Sequence, residues 1–416
     1  MCSRPDVGEV QNSLRQLRPS DATYASEFVD LLLSAACKVH ASDIHLQPTG
    51  PGLEVRWRLD GVLQSIGTFA RGEAADVVSR LKVLAELLTY RSDIPQEGRI
   101  RERHGEVEIR VSTFPTLHGE RAVVRLFAAR ASLLYLEELG LPEEILERLR
   151  KLLVETSGAL LISGPAGSGK TTTAYAGLRE LVRNSGGSKS IVSLEDPIEV
   201  AVDGVAQSQV NPSAGFDLAT GLRSLMRQDP EAILVGEIRD HATAEVVFQA
   251  ALTGHLVVTT FHAGSAAGAI SRLSDMGIEP YLLRSGILGI LSQRLVRRLC
   301  ACAERAPDEE SRLGLPVQQA WRAVGCASCF QTGYQGRLIL AELLLATPTE
   351  LGRAILSRND APQLEQLAAQ SGMVTLGQRA CAAVEAGWTS PAEVRRVLGF
   401  LDDRSKRHTL GSDDVL

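Results

Sequence analysis

Residues 164–171 read Gly-Pro-Ala-Gly-Ser-Gly-Lys-Thr, and no other stretch of the chain limits its possible folds so strongly. The spacing G-x-x-x-x-G-K-[ST] is that of a phosphate-binding loop, which requires a buried strand before it and a helix after it. ALLIS at 159–163 supplies the strand, and residues 170–184 carry helical periodicity. Glycines let backbone N–H groups approach phosphate oxygens with no Cβ in the way. The helix N-terminus adds partial positive charge. Lys170 places a point charge at the β- and γ-phosphates, and Thr171 offers a hydroxyl to Mg²⁺. The chain has 38 arginines and only 6 lysines, and one lysine falls where the motif demands it. A nucleoside triphosphate is therefore expected on Gly164, Pro165, Ala166, Gly167, Ser168, Gly169, Lys170, Thr171 and Thr172.

The surrounding pattern supports an α/β class. Short apolar runs, ALLIS, SIVSL (190–194), AILVG (232–236) and HLVVTTF (255–261), alternate with helical stretches at 170–184, 218–228 and 241–252. That alternation predicts a mostly parallel sheet flanked by helices. In such sheets ligands collect at the carboxyl ends of the strands. SIVSL runs into Glu195 and Asp196, and AILVG runs into Glu237, with Gly236 where an aspartate often stands. His255 and His262 bracket the fourth run. Binding becomes hydrolysis only if a group orients or deprotonates water, and these acids and His262 are the candidates.

Upstream, residues 1–20 are polar and read as a flexible tail. Helical spacing at 25–39 and 76–88, with alternating segments at 53–61 and 107–114, predicts a small α+β domain over 21–130. A helical connector follows at 131–154, then the nucleotide core at 155–290. A cysteine-bearing region at 291–340, expected to be helical, precedes a helical C-terminal subdomain at 341–402 and a tail at 403–416. The chain has 44 basic and 50 acidic residues among its 416, a net charge of −6, and residues 1–130 balance to zero. No basic stripe recruits nucleic acid, and aromatic residues at 4% are too sparse for base stacking. With no apolar run long enough to span a bilayer and no signal sequence, a cytoplasmic location is expected.

Taken together, the motifs resemble the hexameric ATPases of type II secretion and type IV pilus assembly. The resemblance rests on GPAGSGKTTT, LEDPIE followed by QSQVN and GLRSLMRQDP, ILVGEIRD, and LTGHLVVTTFHA, in that order. ASDIHLQP, VRWRLDG, SRLKVLAEL, PQEGR and IRVSTFPTLHGERAVVRL match upstream, so the likeness covers about residues 22–400. It implies a RecA-like motor domain preceded by a PAS-like domain, a homohexamer, ATP and Mg²⁺, and an inner-membrane platform protein as partner. It also implies that Arg99, Arg110 and Arg121 neutralise charge at the nucleotide, with Arg223, Arg227 and Arg239 in the motor, and His255 is placed among the nucleotide-binding residues. Glu195 and Glu237 would share water activation and Mg²⁺ positioning.

Cys300, Cys302, Cys326 and Cys329 form C-x-C and, 23 residues on, C-x-x-C. Four thiolates of this kind can bind a structural, tetrahedral Zn²⁺, and the alternative reading is four free thiols. The first pair is one residue shorter than the family's C-x-x-C. Two further departures are Ala263-Gly264-Ser265 after His262, where the family has Thr-Asn-Asp, and only some 20 residues before the PAS-like domain, where many members carry an extra docking domain. The leading reading is a motor for pilus or pseudopilus assembly. Its competitors are a non-catalytic ATP-gated scaffold and a RecA-like nucleic-acid translocase.

Overall fold

The computed structural model describes residues 7–73, 76–100, 107–128, 134–346 and 349–399. By internal contacts the chain divides into two units. One comprises Met1–Arg130, Cys300–Ala303 and Ala323–Gly336; the other comprises Ala131–Leu299, Glu304–Arg322 and Arg337–Leu416.

In the first unit, α1 (Val7–Gln16) and α2 (Tyr24–Lys38) precede β1 (Asp43–Thr49), β2 (Gly52–Leu59) and β3 (Val62–Phe69). Then come α3 (Val77–Leu84), β4 (Gln96–Ile100), β5 (Val107–Thr116) and β6 (Gly119–Ala128). The strands form one antiparallel sheet in the order β3-β2-β1-β6-β5-β4. Alternation along the sequence decides which face is buried. In β2, Leu53, Val55, Trp57 and Leu59 point into the core, and Arg56 faces solvent. α2 contributes Phe28, Val29, Leu32, Leu33 and Ala36 to the same core. Each such large side chain contributes roughly 1.5–3 kcal/mol on burial. Asp76 caps α3, its Oδ1 accepting from the Val78 amide at 2.8 Å.

The stretch expected to be a loose tail departs from expectation at α1. Val10 and Leu14, one helical turn apart, are 6% and 1% exposed. The polar residues that suggested a tail are the helix's outer side. The expected tail at 403–416 lies outside the described residues.

The second unit opens with a 3₁₀ turn, Leu136–Leu139, and α4 (Glu143–Leu153). The sheet-building run is β7 (Gly158–Ser163), α5 (Lys170–Ser185), β8 (Ile191–Glu195), β9 (Ala206–Gln209), α6 (Leu218–Leu225), β10 (Ala232–Ile238), α7 (His241–Leu252) and β11 (Leu256–Phe261). It continues through α8 (Ala266–Asp275), α9 (Pro280–Gly286), β12 (Ile287–Leu299), the short strands β13 (Glu304–Arg305) and β14 (Trp321–Arg322), and β15 (Tyr334–Leu345). Four helices close the chain: α10 (Thr349–Leu356), α11 (Ala361–Gln370), α12 (Leu376–Glu385) and α13 (Pro391–Leu398). The large sheet runs β15-β12-β7-β11-β10-β8-β9, and β12 through β9 pair in parallel. Every residue of β7, β8 and β11 is buried, as expected of strands covered on both faces.

Residues 291–299 and 337–345, read from sequence as helical, are strands. β12 lies beside β7 and β15 on the outer side of β12, and both stretches are mostly buried. A strand covered on both faces loses its alternation, and a run such as ILSQRLVRRL then fits either period. The expected helices begin only at α10.

Candidate nucleotide site

Four adjacent strands of the second unit, in the order β7, β11, β10 and β8, end at one edge of the sheet. The phosphate loop leaves β7, His262 follows β11, Glu237 stands near the end of β10, and Glu195 ends β8. Parallel pairing therefore gathers residues spread over about 100 positions. Gly164 opens the loop at φ 153°, and a Cβ there would fall 2.5 Å from Ser168 Oγ and 2.6 Å from the Gln293 carbonyl oxygen. Only glycine allows that approach.

Lys170 is 8% exposed, and its Nζ donates to the carbonyl oxygens of Gly164 (3.0 Å) and Pro165 (3.1 Å). Burial pushes the Lys170 ammonium below its usual range, opposed by the charge of Glu237. Ser168 Oγ is buried without a hydrogen-bond partner. An ammonium folded back on its own loop, an unpaired buried hydroxyl and the Thr171 hydroxyl at the start of α5 form a donor set that fits a phosphate chain with its magnesium ion.

The two acids have different surroundings. Glu195, 3% exposed, accepts from Tyr175 Oη, Ser193 Oγ (2.5 Å) and Gln207 Nε2 (3.1 Å). Burial first, and then the Glu195 carboxylate, hold the Tyr175 phenol above its usual range, so it stays a donor. Its oxygen in turn accepts from the Glu199 amide at 3.0 Å. Glu237 Oε2 accepts from Arg239 Nε at 2.7 Å, and Arg239 Nη1 reaches Asp196 Oδ2 at 3.2 Å. Glu237 Oε1 lies 2.6 Å from His262 Nε2. Gly236 spaces the two acidic strand ends, since a Cβ there would press within 3.3 Å of the Glu195 Cα.

His255, singled out in the sequence, does not reach this edge. His255 precedes β11, so one strand length separates it from His262, roughly 20 Å at 3.3 Å per residue. Its Nδ1 lies 3.1 Å from the Ala250 carbonyl oxygen at the end of α7. Arg223 and Arg227 are exposed, and Arg227 bonds the Arg223 carbonyl (3.0 Å) and Ser224 Oγ (3.3 Å) of its own helical segment. Arg239 is at the site through Glu237.

Arg99, Arg110 and Arg121 lie on the first unit. Strand register makes Arg99 and Arg110 direct partners, then Arg110 and Arg125, Arg125 and Asp43, and Asp43 and Arg58. With Arg56 and Arg121 two or four residues along their strands, six arginines share one sheet face. Arg125 Nε donates to Asp43 Oδ1 at 2.9 Å, and Arg121 Nη2 lies 3.0 Å from His45 Nδ1. Burial, then Arg58 and Arg121, push the His45 imidazole below its usual range. The zero net charge of residues 1–130 conceals this sorting.

Cys300, Cys302, Cys326 and Cys329 also belong to the first unit, and their sulfurs lie within 4.8 Å of one another. Sγ–Sγ separations are 3.9 Å for Cys300–Cys326, 3.9 Å for Cys302–Cys329 and 3.6 Å for Cys326–Cys329. A tetrahedron of thiolates at 2.3 Å from zinc has edges of about 3.8 Å. The shortened C-x-C pair therefore still presents a set that fits the metal. Amides of Cys326 (3.1 Å) and Gly333 (3.2 Å) donate to Cys329 Sγ. Phe330 packs on the first unit's core, and the Gly336 amide donates to Asp60 Oδ2 at 2.9 Å.

Sequence reading missed Tyr175, Ser193 and Gln207 around Glu195, and Gln293 behind the phosphate loop. The available signal was polarity inside an apolar run, clearest for Gln293 in ILSQRLV. Among the described residues no helix is long and apolar enough to cross a membrane.

Known proteins share both sequence and fold with the chain. Type II secretion system ATPase E of Vibrio cholerae is 44% identical over 338 residues, covering 79% of this chain and 67% of that protein. Type IV pilus assembly ATPase PilB of Thermus thermophilus is 40% identical over 367 residues, covering 86% of this chain but 41% of that protein. Type II secretion system protein E of Pseudomonas aeruginosa is 49% identical over 331 residues, 76% of this chain and 64% of that protein. Among solved structures, the Legionella pneumophila ATPase DotB superposes with a TM-score of 0.64 at 23% identity, covering 89% of this chain and 95% of that one. The pilus retraction motor PilT with bound ADP gives 0.60 at 23%, covering 90% and 97%. These two show a shared fold. Residues 19–396 match the family described as type II/IV secretion system protein, and the chain belongs to that family.

Proposed function

We propose that the chain hydrolyses ATP as a homohexameric motor powering the assembly of a pilus or pseudopilus, in type II secretion or type IV pilus biogenesis. The carrying observation is the gathering of Lys170, Glu237, His262 and Glu195 at the carboxyl ends of four neighbouring parallel strands. The relatives' names support the machinery, and cytoplasmic placement against an inner-membrane platform protein goes with it.

The surroundings of the two acids divide their roles. Glu237 is already paired with the Arg239 guanidinium and lies beside His262, so a magnesium ion exchanges one cationic partner for another. Glu195 is held by neutral donors that fix its direction, which suits a group that orients and deprotonates the attacking water. Magnesium, when bound with ATP, supplies charge neutralisation at the phosphates. Lys170 leaves the Gly164 and Pro165 carbonyls for a phosphate oxygen. Arg99, Arg110 and Arg121 belong to a cationic face suited to the nucleotide's negative charge. The four cysteines hold a structural zinc ion.

ATP turnover per protomer over about a hundredfold range of protein concentration tests this reading. The specific rate is expected to climb with concentration and to vanish in Lys170→Ala. Undiminished turnover in that variant overturns the site.

A further inference from the structure

β12 buries three consecutive polar side chains, Ser292 and Gln293 at 0% exposure and Arg294 at 7%, and the last two are hydrogen-bonded. The large majority of buried polar side chains are hydrogen-bonded, so the partners of these two are informative. Gln293 Nε2 donates to the Ser168 carbonyl oxygen at 2.8 Å, and Gln293 Oε1 accepts from Thr173 Oγ1 at 3.1 Å. One amide thus joins the phosphate loop to the helix that follows it. A loop that turns its N–H groups toward an anion must turn carbonyls elsewhere, and those carbonyls need donors. Lys170 serves Gly164 and Pro165 only until it meets a phosphate; Gln293 serves Ser168 from a rigid strand.

Arg294 extends the arrangement. Its Nη1 donates to the Gln293 carbonyl at 2.9 Å, and its Nη2 donates to the Gly264 carbonyl, two residues after His262. Arg272 Nη1 holds the His262 carbonyl itself at 2.5 Å. The buried guanidinium feels the charge of Glu342 on β15. That carboxylate, 1% exposed, accepts from Ala266 N (2.8 Å) and Leu376 N (2.9 Å), the first residues of α8 and α12. The charge facing Arg294 is therefore itself fixed at both helix starts.

We propose that Gln293 and Arg294 are positioning residues: Gln293 holds the phosphate loop in its binding shape, Arg294 holds the loop behind His262, and their adjacency on one strand sets the two loops as a unit. The inference rests on the phosphate-site reading above.

The test measures ATP affinity and turnover in the full chain for Gln293→Leu, Gln293→Glu, Thr173→Val and Arg294→Leu, with Lys170→Ala as reference. Gln293→Leu is expected to weaken ATP binding about tenfold. Gln293→Glu is expected to weaken it more at about pH 8, where a carboxylate faces the Ser168 carbonyl. It should recover toward wild type at about pH 6, where a protonated carboxyl donates again. Lys170 on α5, Glu237 on β10 and Arg294 on β12 are charges common to both proteins, so the ratio to wild type isolates position 293. Arg294→Leu is expected to lower kcat severalfold with KM little changed. ATP binding within twofold of wild type in both Gln293 variants overturns the Gln293 assignment, as does equal weakening of both with no recovery at low pH, the mark of packing alone. Unchanged kcat in Arg294→Leu overturns the Arg294 assignment. If Gln293→Leu fails to fold, Gln293→Glu and Thr173→Val carry the test, and an unaffected pair is again contrary. Undiminished ATP binding in Lys170→Ala instead defeats the phosphate-site reading itself.

Discussion

Glu195 and Glu237 end two neighbouring strands, β8 and β10, paired in parallel, yet their surroundings differ in kind. The first is enclosed by a phenol, a hydroxyl and an amide; the second sits against a guanidinium and an imidazole. Position at a strand end makes a carboxylate a candidate. What already holds it decides what it can do next: a carboxylate among neutral donors is an oriented acceptor, and one paired with a guanidinium is a place where cations exchange.

The largest expected effects fall on the acids themselves. Glu237→Gln and Glu195→Gln should each lower ATP turnover by about a hundredfold or more. Retained turnover in either removes that acid from the chemistry. Tyr175→Phe should lower kcat about tenfold while ATP affinity holds, because a charge-assisted hydrogen bond that aims Glu195 is lost. A change in affinity alone would mean that Tyr175 supports α5 rather than Glu195. His262→Ala should cost a few-fold in kcat, since it removes one neighbour of Glu237 and leaves Arg239. His255→Ala should leave turnover within about twofold of wild type, because the side chain lies a strand length away. A large loss there would show that the amino edge of β11 communicates with the site.

The legible part of this site is the part carried by local sequence. The phosphate loop, its strand and its helix follow from eight residues, because glycine spacing and a buried apolar run dictate local geometry. Glu195, Glu237 and His262 follow from the rule for parallel strand ends. What stayed hidden depends on partners distant in sequence. Gln293 reaches the phosphate loop across 125 residues, and nothing in ILSQRLV reports that partner. The arginine face exists only through the register of five strands, so composition averages it to zero. β12 and β15 read as helix because burial on both faces erases alternation. The cysteine spacing was legible, but the pairing of Cys300 with Cys326 and Cys302 with Cys329 across a chain reversal was not.

The central claim is that the two acids do different work at one site. Its most direct test is ATP binding with and without magnesium in wild type, Glu237→Gln and Glu195→Gln. The account predicts that magnesium strengthens ATP binding in wild type and in Glu195→Gln, and that Glu237→Gln loses this dependence. The reverse pattern, with magnesium dependence lost in Glu195→Gln and kept in Glu237→Gln, would contradict it.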